Sequence, residues 1–368
     1  MNRADIFTHG GNLYAMQRQK GGKMEELLDF SANINPLGFP DSARLAVAEA
    51  LPYIIHYPDA EAAVLKEAIG RRFGMNTEQI SLGNGAAELL YVLCHMTRPQ
   101  RVLIPAPTFS EYERAARASG AAVEYLYLDP ATDFAIPVEE VVSHLAEVDI
   151  LFLCNPNNPT GRIMPRCEVE KIIAAAASKN VRVVLDESFL EFLPDEANYS
   201  CRSLLASYAN LVIVQSLTKF YALPGLRLGF VLADKTTCEL LDKGKDPWNV
   251  NSLAQAAGAA ALADDGYRAA SLAIVSSARE AFCAALREIP GFRPLSATAN
   301  FLLVSIAGSG YSASQLRQAL LAVGVLIRDC SNYVGLSDDY IRLAVKLPQQ
   351  NEQLLTCLRK LIEGRDRA

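Results

Sequence analysis

Between residues 101 and 232 one unit recurs: a short apolar run, then a stretch with helical spacing. "RVLIPAP", "VDILFLCNP", "VRVVLDES", "NLVIVQSL" and "LRLGFVLA" are almost continuously apolar, while "AAVEYLYL" alternates. A strand that is apolar on both faces has to be covered on both faces, which is the situation inside a parallel sheet layered by helices. The intervening "SEYERAARASG" and "PRCEVEKIIAAAASKN" have helical apolar spacing, with Ser110 as the expected N-cap of the first and Gly120 as its stop. Upstream, "AEAAVLKEAIGRRFG", ending at Gly74, and "AAELLYVLCHMT" read as further helices, and right-handed crossovers follow.

At 368 residues the chain exceeds one ordinary core. After a long helical stretch at roughly 250–288 the rhythm changes, and "FLLVSI", "VLIRDC" and "YIRLAVKL" flank the helix "SASQLRQALLAVG". That β-α-β-β grouping predicts a second, smaller α/β domain. We expect an N-terminal arm contributing to the small domain over 1–45, a large domain over 46–248 and the rest of the small domain over 249–368. The polar, turn-rich "KGKDPWNVN" marks the boundary.

Composition narrows the function. A net charge of −6 with no basic face argues against nucleic acid as a partner. The most apolar stretch, "QAAGAAALADDGYRAASLAIV", is interrupted by Asp264 and Asp265, so no membrane span is expected. "MNRADIFTHGGNLYAM" lacks the apolar core of a secretory signal. Eight cysteines without a CxxC pair read as buried free thiols in a reducing compartment, and four scattered histidines show no metal-binding spacing. A cytoplasmic, metal-free enzyme is the expectation.

In open α/β sheets function collects at the carboxyl ends of the strands. Here those ends read "PAPTF", "CNPNNPTG", "LDESF" and "SLTKF", four segments aimed at one crevice. Lys219 can hold an aldehyde cofactor and afterwards carry a proton. Asp186 ends an apolar strand and wants a cation, which a protonated pyridine nitrogen supplies. Asn158, on a proline-fixed turn, can donate to a ring oxygen, and Phe109 can stack on a ring face. Gly83, Asn84 and Gly85 precede a helix, so their backbone N–H groups favour a phosphate. Ser216, Thr218 and Arg227 add hydroxyl and guanidinium donors. Singly each has a bland explanation as cap, turn, core or surface residue; in order, at convergent strand ends, they describe a cofactor site.

"NPNNPTG", "LDES" and "SLTKFYALPGLRLG" resemble the signatures of class I and II pyridoxal-phosphate enzymes, the aspartate aminotransferase-like fold type I, over essentially the whole chain. The resemblance implies a large domain with a mostly parallel seven-stranded sheet plus a smaller α/β domain. It also implies pyridoxal 5'-phosphate covalently held by Lys219, paired with Asp186, contacted by Asn158 and stacked on Phe109. Gly85, Ala86, Ser216, Thr218 and Arg227 would bind its phosphate. Tyr57, in "HYPD", would reach the phosphate of a neighbouring subunit, implying a homodimer with shared active sites.

Within that family, "HGGN" ahead of "DFSANINPLG" resembles the threonine-phosphate decarboxylases of cobalamin biosynthesis, with the histidinol-phosphate aminotransferases as near relatives and the main alternative. His9 and Asn33 match substrate positions of the decarboxylases. Arg328 and Arg342 match the family's anion-binding arginines and suit a substrate with two anionic ends. Which takes carboxylate and which phosphate stays open. Phe189 stands where most aminotransferases of this fold have a tyrosine, removing a donor to the cofactor. L-serine O-phosphate is the alternative decarboxylation substrate, because one methyl is worth only about 1–3 kcal/mol of discrimination.

Overall fold

The computed structural model describes residues 9–20 and 24–365. Its centre is a seven-stranded sheet in the order Ile80–Gly83, Gly229–Leu232, Leu211–Ser216, Arg182–Asp186, Ile150–Cys154, Arg101–Ala106 and Ala122–Tyr127. The strands pair in parallel except Gly229–Leu232, which runs antiparallel to both neighbours. "LRLGFVLA", read from sequence as one more strand of the parallel run, instead returns antiparallel between two strands.

Pleating sends successive residues of the central strands to opposite sides. Val183 and Leu185 join one hydrophobic core, whereas Val184 joins the other with Val212 and Val214. Helices cover both layers, among them Ala63–Phe73, Ala86–Thr97, Glu111–Ala118 and Arg166–Ser178. Gly74 ends the first with a left-handed φ of 70°, a conformation cheap only for glycine. Ser110 is not the expected side-chain cap: its backbone is already helical and its hydroxyl makes no capping bond.

The smaller domain holds an antiparallel sheet ordered Arg328–Asp329, Tyr340–Ala344, Phe301–Ser305 and Arg293–Pro294. Leu28–Asp29 pairs in parallel with Val325–Leu326, tying the N-terminal segment to this domain. The helices after residue 251 pack into both cores. Ala254, Ala257 and Val275 belong to the sheet-domain core, and the small-domain core begins at Ala278 and Phe282. One helix, Asp265–Arg287, thus serves both cores, with Val275 in the first and Ala278, Phe282 and Leu286 in the second. By length and composition this helix could cross a bilayer, contrary to the expectation from sequence, but its buried residues feed both cores.

Candidate active site

The carboxyl ends of the parallel strands open into a cavity of about 390 Å3 between the two domains. Lys219, Asp186, Asn158, Phe109, Ala86, Ser216, Thr218 and Arg227 line it, as the strand-end motifs predict. His9, Asn33, Phe189, Arg328 and Arg342 reach it as well. Tyr57 does not: it is 78% exposed and stacks on Trp248 with ring centroids 4.5 Å apart.

Lys219 sits in the four-residue helix Leu217–Phe220, directly after the strand Leu211–Ser216. Burial, then the charges of Arg342 and Arg227, bring its ammonium down to about 8, with Asp186 opposing. Its amine is thus neutral far more often than that of a surface lysine, the state needed for nucleophilic attack on an aldehyde. Asn35 holds the segment in place, donating from its side chain to Phe220 O at 2.7 Å and from its backbone to Lys219 O at 3.1 Å.

Asp186 is buried at the end of its strand. Oδ1 accepts from Ser188 N at 2.9 Å and Oδ2 from the Tyr112 hydroxyl at 2.7 Å. Burial raises its pKa above the carboxylate norm, although the Ser188 and Tyr112 bonds and Lys219 favour the charged form. A cationic ring nitrogen in the cavity would offset that desolvation. Tyr112 itself is locked by stacking on Phe152, with centroids 5.3 Å apart and planes 8° from parallel.

The three asparagines of "NPNNPTG" divide their work. Asn155 exchanges bonds with the Met164 backbone, and Asn157 ties Thr160 to Pro107. Asn158 is the one turned to the cavity, with Oδ1 accepting from Arg342 Nη1. Its amide nitrogen is left to donate elsewhere.

At the opposite side, the turn before the helix Ala86–Thr97 is packed against Arg227. A Cβ on Gly85 would stand 2.2 Å from Arg227 Nη2, and one on Gly229 would stand 2.4 Å from Ala86 N. Only bare backbone lets the guanidinium and the helix N-terminus converge, and the Ser216 and Thr218 hydroxyls lie 2.7 Å from each other nearby. This is a cup for a phosphate. Together with the amine, the buried carboxylate and the Phe109 wall, the donor set fits pyridoxal phosphate.

The substrate side is cationic. Arg342 donates from Nη2 to Ser31 O at 2.9 Å, and its Nε is buried without a partner among the described residues. Asn33 Oδ1 is another buried atom lacking a partner there. His9 crosses the mouth, 2.7 Å from Glu111 Oε1. Burial would raise Glu111, but the hydrogen bond and charge of His9, with Arg114, hold its carboxyl below the usual range. The next residues are pinned too: Gly11 N donates to Ser31 Oγ at 2.7 Å. Phe189 meets Phe301 edge-on at 4.9 Å.

Tyr112, Glu111, Ser31 and Tyr333 also shape the cavity, and sequence reasoning missed them. Tyr112 had one usable signal, its position one helical turn beyond Phe109. The others are placed at the cavity by contacts from distant segments, His9 to Glu111, Arg342 to Ser31 and Tyr333 to Asn158.

The family description "Aminotransferase class I and II" matches residues 25–358. A threonine-phosphate decarboxylase from Salmonella typhimurium is 35% identical over 97% of this chain and 97% of that relative. Among solved structures, a histidinol-phosphate aminotransferase from Clostridium acetobutylicum superposes with a TM-score of 0.86 at 31% identity, over 91% of this chain and 99% of the other. An L-threonine-O-3-phosphate decarboxylase from Porphyromonas gingivalis gives a TM-score of 0.80 at 28% identity, over 91% and 99%.

Proposed function

The chain belongs to the aminotransferase class I and II family, and from that premise we propose that it is a pyridoxal-phosphate-dependent lyase. It decarboxylates L-threonine O-3-phosphate to (R)-1-aminopropan-2-yl phosphate and CO2, a step of cobalamin biosynthesis. The observation that carries the substrate is the end-to-end similarity to a threonine-phosphate decarboxylase. Arg328 and Arg342, which have no carboxylate partner among the described residues, agree with a substrate bearing two anions.

Pyridoxal phosphate supplies an electron sink for the pair released when the Cα–carboxylate bond breaks. Lys219 would hold it through the amine, Asp186 would pair with its ring nitrogen, and Asn158 would donate to its ring oxygen. Phe109 would cover one ring face, while Gly85, Ala86, Ser216, Thr218 and Arg227 would take the phosphate. Arg328 and Arg342 bind the substrate's two anionic ends, helped by His9 and Asn33, and their placement orients the bond to be cut. Lys219 Nζ then delivers a proton to Cα, replacing the lost carboxylate.

A homodimer is part of the proposal. Leu51, Tyr53, Ile54, Ile55, Tyr57 and Val64 are all more than half exposed and cluster within fourteen residues of chain. An apolar surface of this kind favours a second copy, and it would carry Tyr57 toward the partner's phosphate cup. All eight cysteines are free, as in a reducing compartment, and we place the enzyme in the cytoplasm.

The test is CO2 release from L-threonine O-3-phosphate by the holoenzyme with no 2-oxo acid present. Sustained release over many turnovers supports the lyase, and L-serine O-phosphate in parallel reports the weight of the methyl group. A single half-reaction that stops until 2-oxoglutarate is added would replace the proposal with an aminotransferase acting on histidinol phosphate.

A further inference from the structure

Next to the active-site cavity lies a second one, of about 480 Å3. The two share His9, Gly10, Ser31 and Arg328 as a common wall. The far wall is the helix Ala313–Ala322, which contributes Ser314 and, one turn later, Arg317. We infer that this second cavity is a binding site for a phosphomonoester dianion, with Arg317 as its recognising residue.

Arg317 makes no ion pair among the described residues, and its Nε is buried without a hydrogen-bond partner there. A guanidinium N–H shut off from water and left unpaired carries the full desolvation cost of the group, which a bound anion would offset. Arg328 faces the same space. It is 8% exposed, donates from Nη2 to Asn332 Oδ1 at 2.7 Å, and lies over the Tyr333 ring at 5.0 Å. Those contacts hold the guanidinium in place without neutralising it. Asp329 also lines the cavity, but its carboxylate accepts from Ser331 N at 2.9 Å.

The donor count selects the ligand. Two guanidinium forks and the hydroxyls of Ser314 and Ser331 exceed what the two oxygens of a carboxylate can accept. They suit the three terminal oxygens of a phosphate monoester, which can accept from both forks at once. Because Arg328 borders both cavities, an anion here lies next to the substrate. The phosphate is either the substrate's own or that of a separate phosphorylated molecule. The former source rests on the proposed function; the site itself does not.

Inorganic phosphate is the probe. Isothermal titration of the holoenzyme should show binding that weakens at least about tenfold in Arg317→Gln, the loss of a charge-assisted bond. Arg317→Lys should recover part of it, since the charge returns without the planar fork. Unchanged thermal midpoints in both variants make the loss a property of the site. Competitive inhibition by phosphate against L-threonine O-3-phosphate assigns the site to the substrate's own phosphate, and inhibition independent of substrate concentration assigns it to a separate ligand. Phosphate affinity and kcat/KM both at wild-type level in Arg317→Gln would overturn the inference. If the wild type releases no CO2 yet binds phosphate through Arg317, the proposed reaction fails and the site stands.

Discussion

Arg328 and Arg342 stand directly opposite each other across the antiparallel pair Arg328–Asp329 and Tyr340–Ala344. Both are buried, and both line the active-site cavity. Two like charges facing each other on neighbouring strands destabilise a sheet, so their retention is better explained by an anionic ligand than by folding.

Each arginine should therefore matter more to substrate than to the fold. Arg328→Ala should lower kcat/KM for the phosphorylated substrate roughly 10- to 100-fold, corresponding to one charge-assisted hydrogen bond of about 1.5–3 kcal/mol. Its thermal midpoint should hold or rise, because one of two opposed cations is gone. Steady-state kinetics with a melting curve decides it. Full activity together with a fall in stability would make Arg328 a structural residue.

Tyr112→Phe keeps the stack on Phe152 but removes the donor to Asp186. Without that bond the buried carboxylate is harder to ionise, so its pKa rises further and its hold on a cationic ring nitrogen weakens. Cofactor affinity should drop about tenfold, for roughly 1–1.5 kcal/mol, as read by equilibrium titration of the apoprotein with pyridoxal phosphate. An unchanged dissociation constant would leave Tyr112 as packing alone.

Phe189→Tyr should place a hydroxyl in an apolar corner against Phe301. If that hydroxyl donates to the bound cofactor, the pH titration of the visible absorbance shifts and decarboxylation slows or yields some transamination product. The same spectrum and product ratio as the wild type would mark the phenylalanine as passive.

Lys219 carries a pH prediction. In the apoprotein its amine titrates at about 8 against an ordinary 10.5, so between those values the unfolded chain binds the extra proton. Stability from this group therefore rises as pH rises from 8 toward 10.5, and below 8 the whole penalty is present. Lys219→Met removes a buried cation of similar length. The variant apoprotein should be more stable than the wild-type apoprotein at pH 7, by up to about 3 kcal/mol, and the gap should narrow toward pH 10. Denaturant unfolding at both pH values tests it, and a gap independent of pH would show that the lysine is already solvated.

The chemistry-bearing residues were legible because their signals are local. An apolar strand followed at once by Asp186, or by Ser216, Thr218 and Lys219, says where a side chain must emerge, since open α/β sheets expose strand ends at one edge. The cup at Gly85 and Ala86 was legible for the same reason, as a glycine turn opening a helix. What the sequence by itself determined, then, was the sheet, the crevice and most of the residues that line it.

Only the tertiary structure decided the rest. Tyr112 meets Asp186 across 74 residues, His9 meets Glu111 across 102, and Arg342 meets the Ser31 backbone across 311. No short-range pattern encodes such pairs, because they depend on how two domains and an N-terminal segment close around one cavity. The same holds for the division of labour among Asn155, Asn157 and Asn158, three identical side chains given different partners by the loop's path. It holds for Asp265–Arg287, where one continuous helical stripe serves two cores. It holds most for Arg317, an ordinary helical arginine by sequence, whose buried and unpaired Nε appears only once the helix is packed beside Arg328.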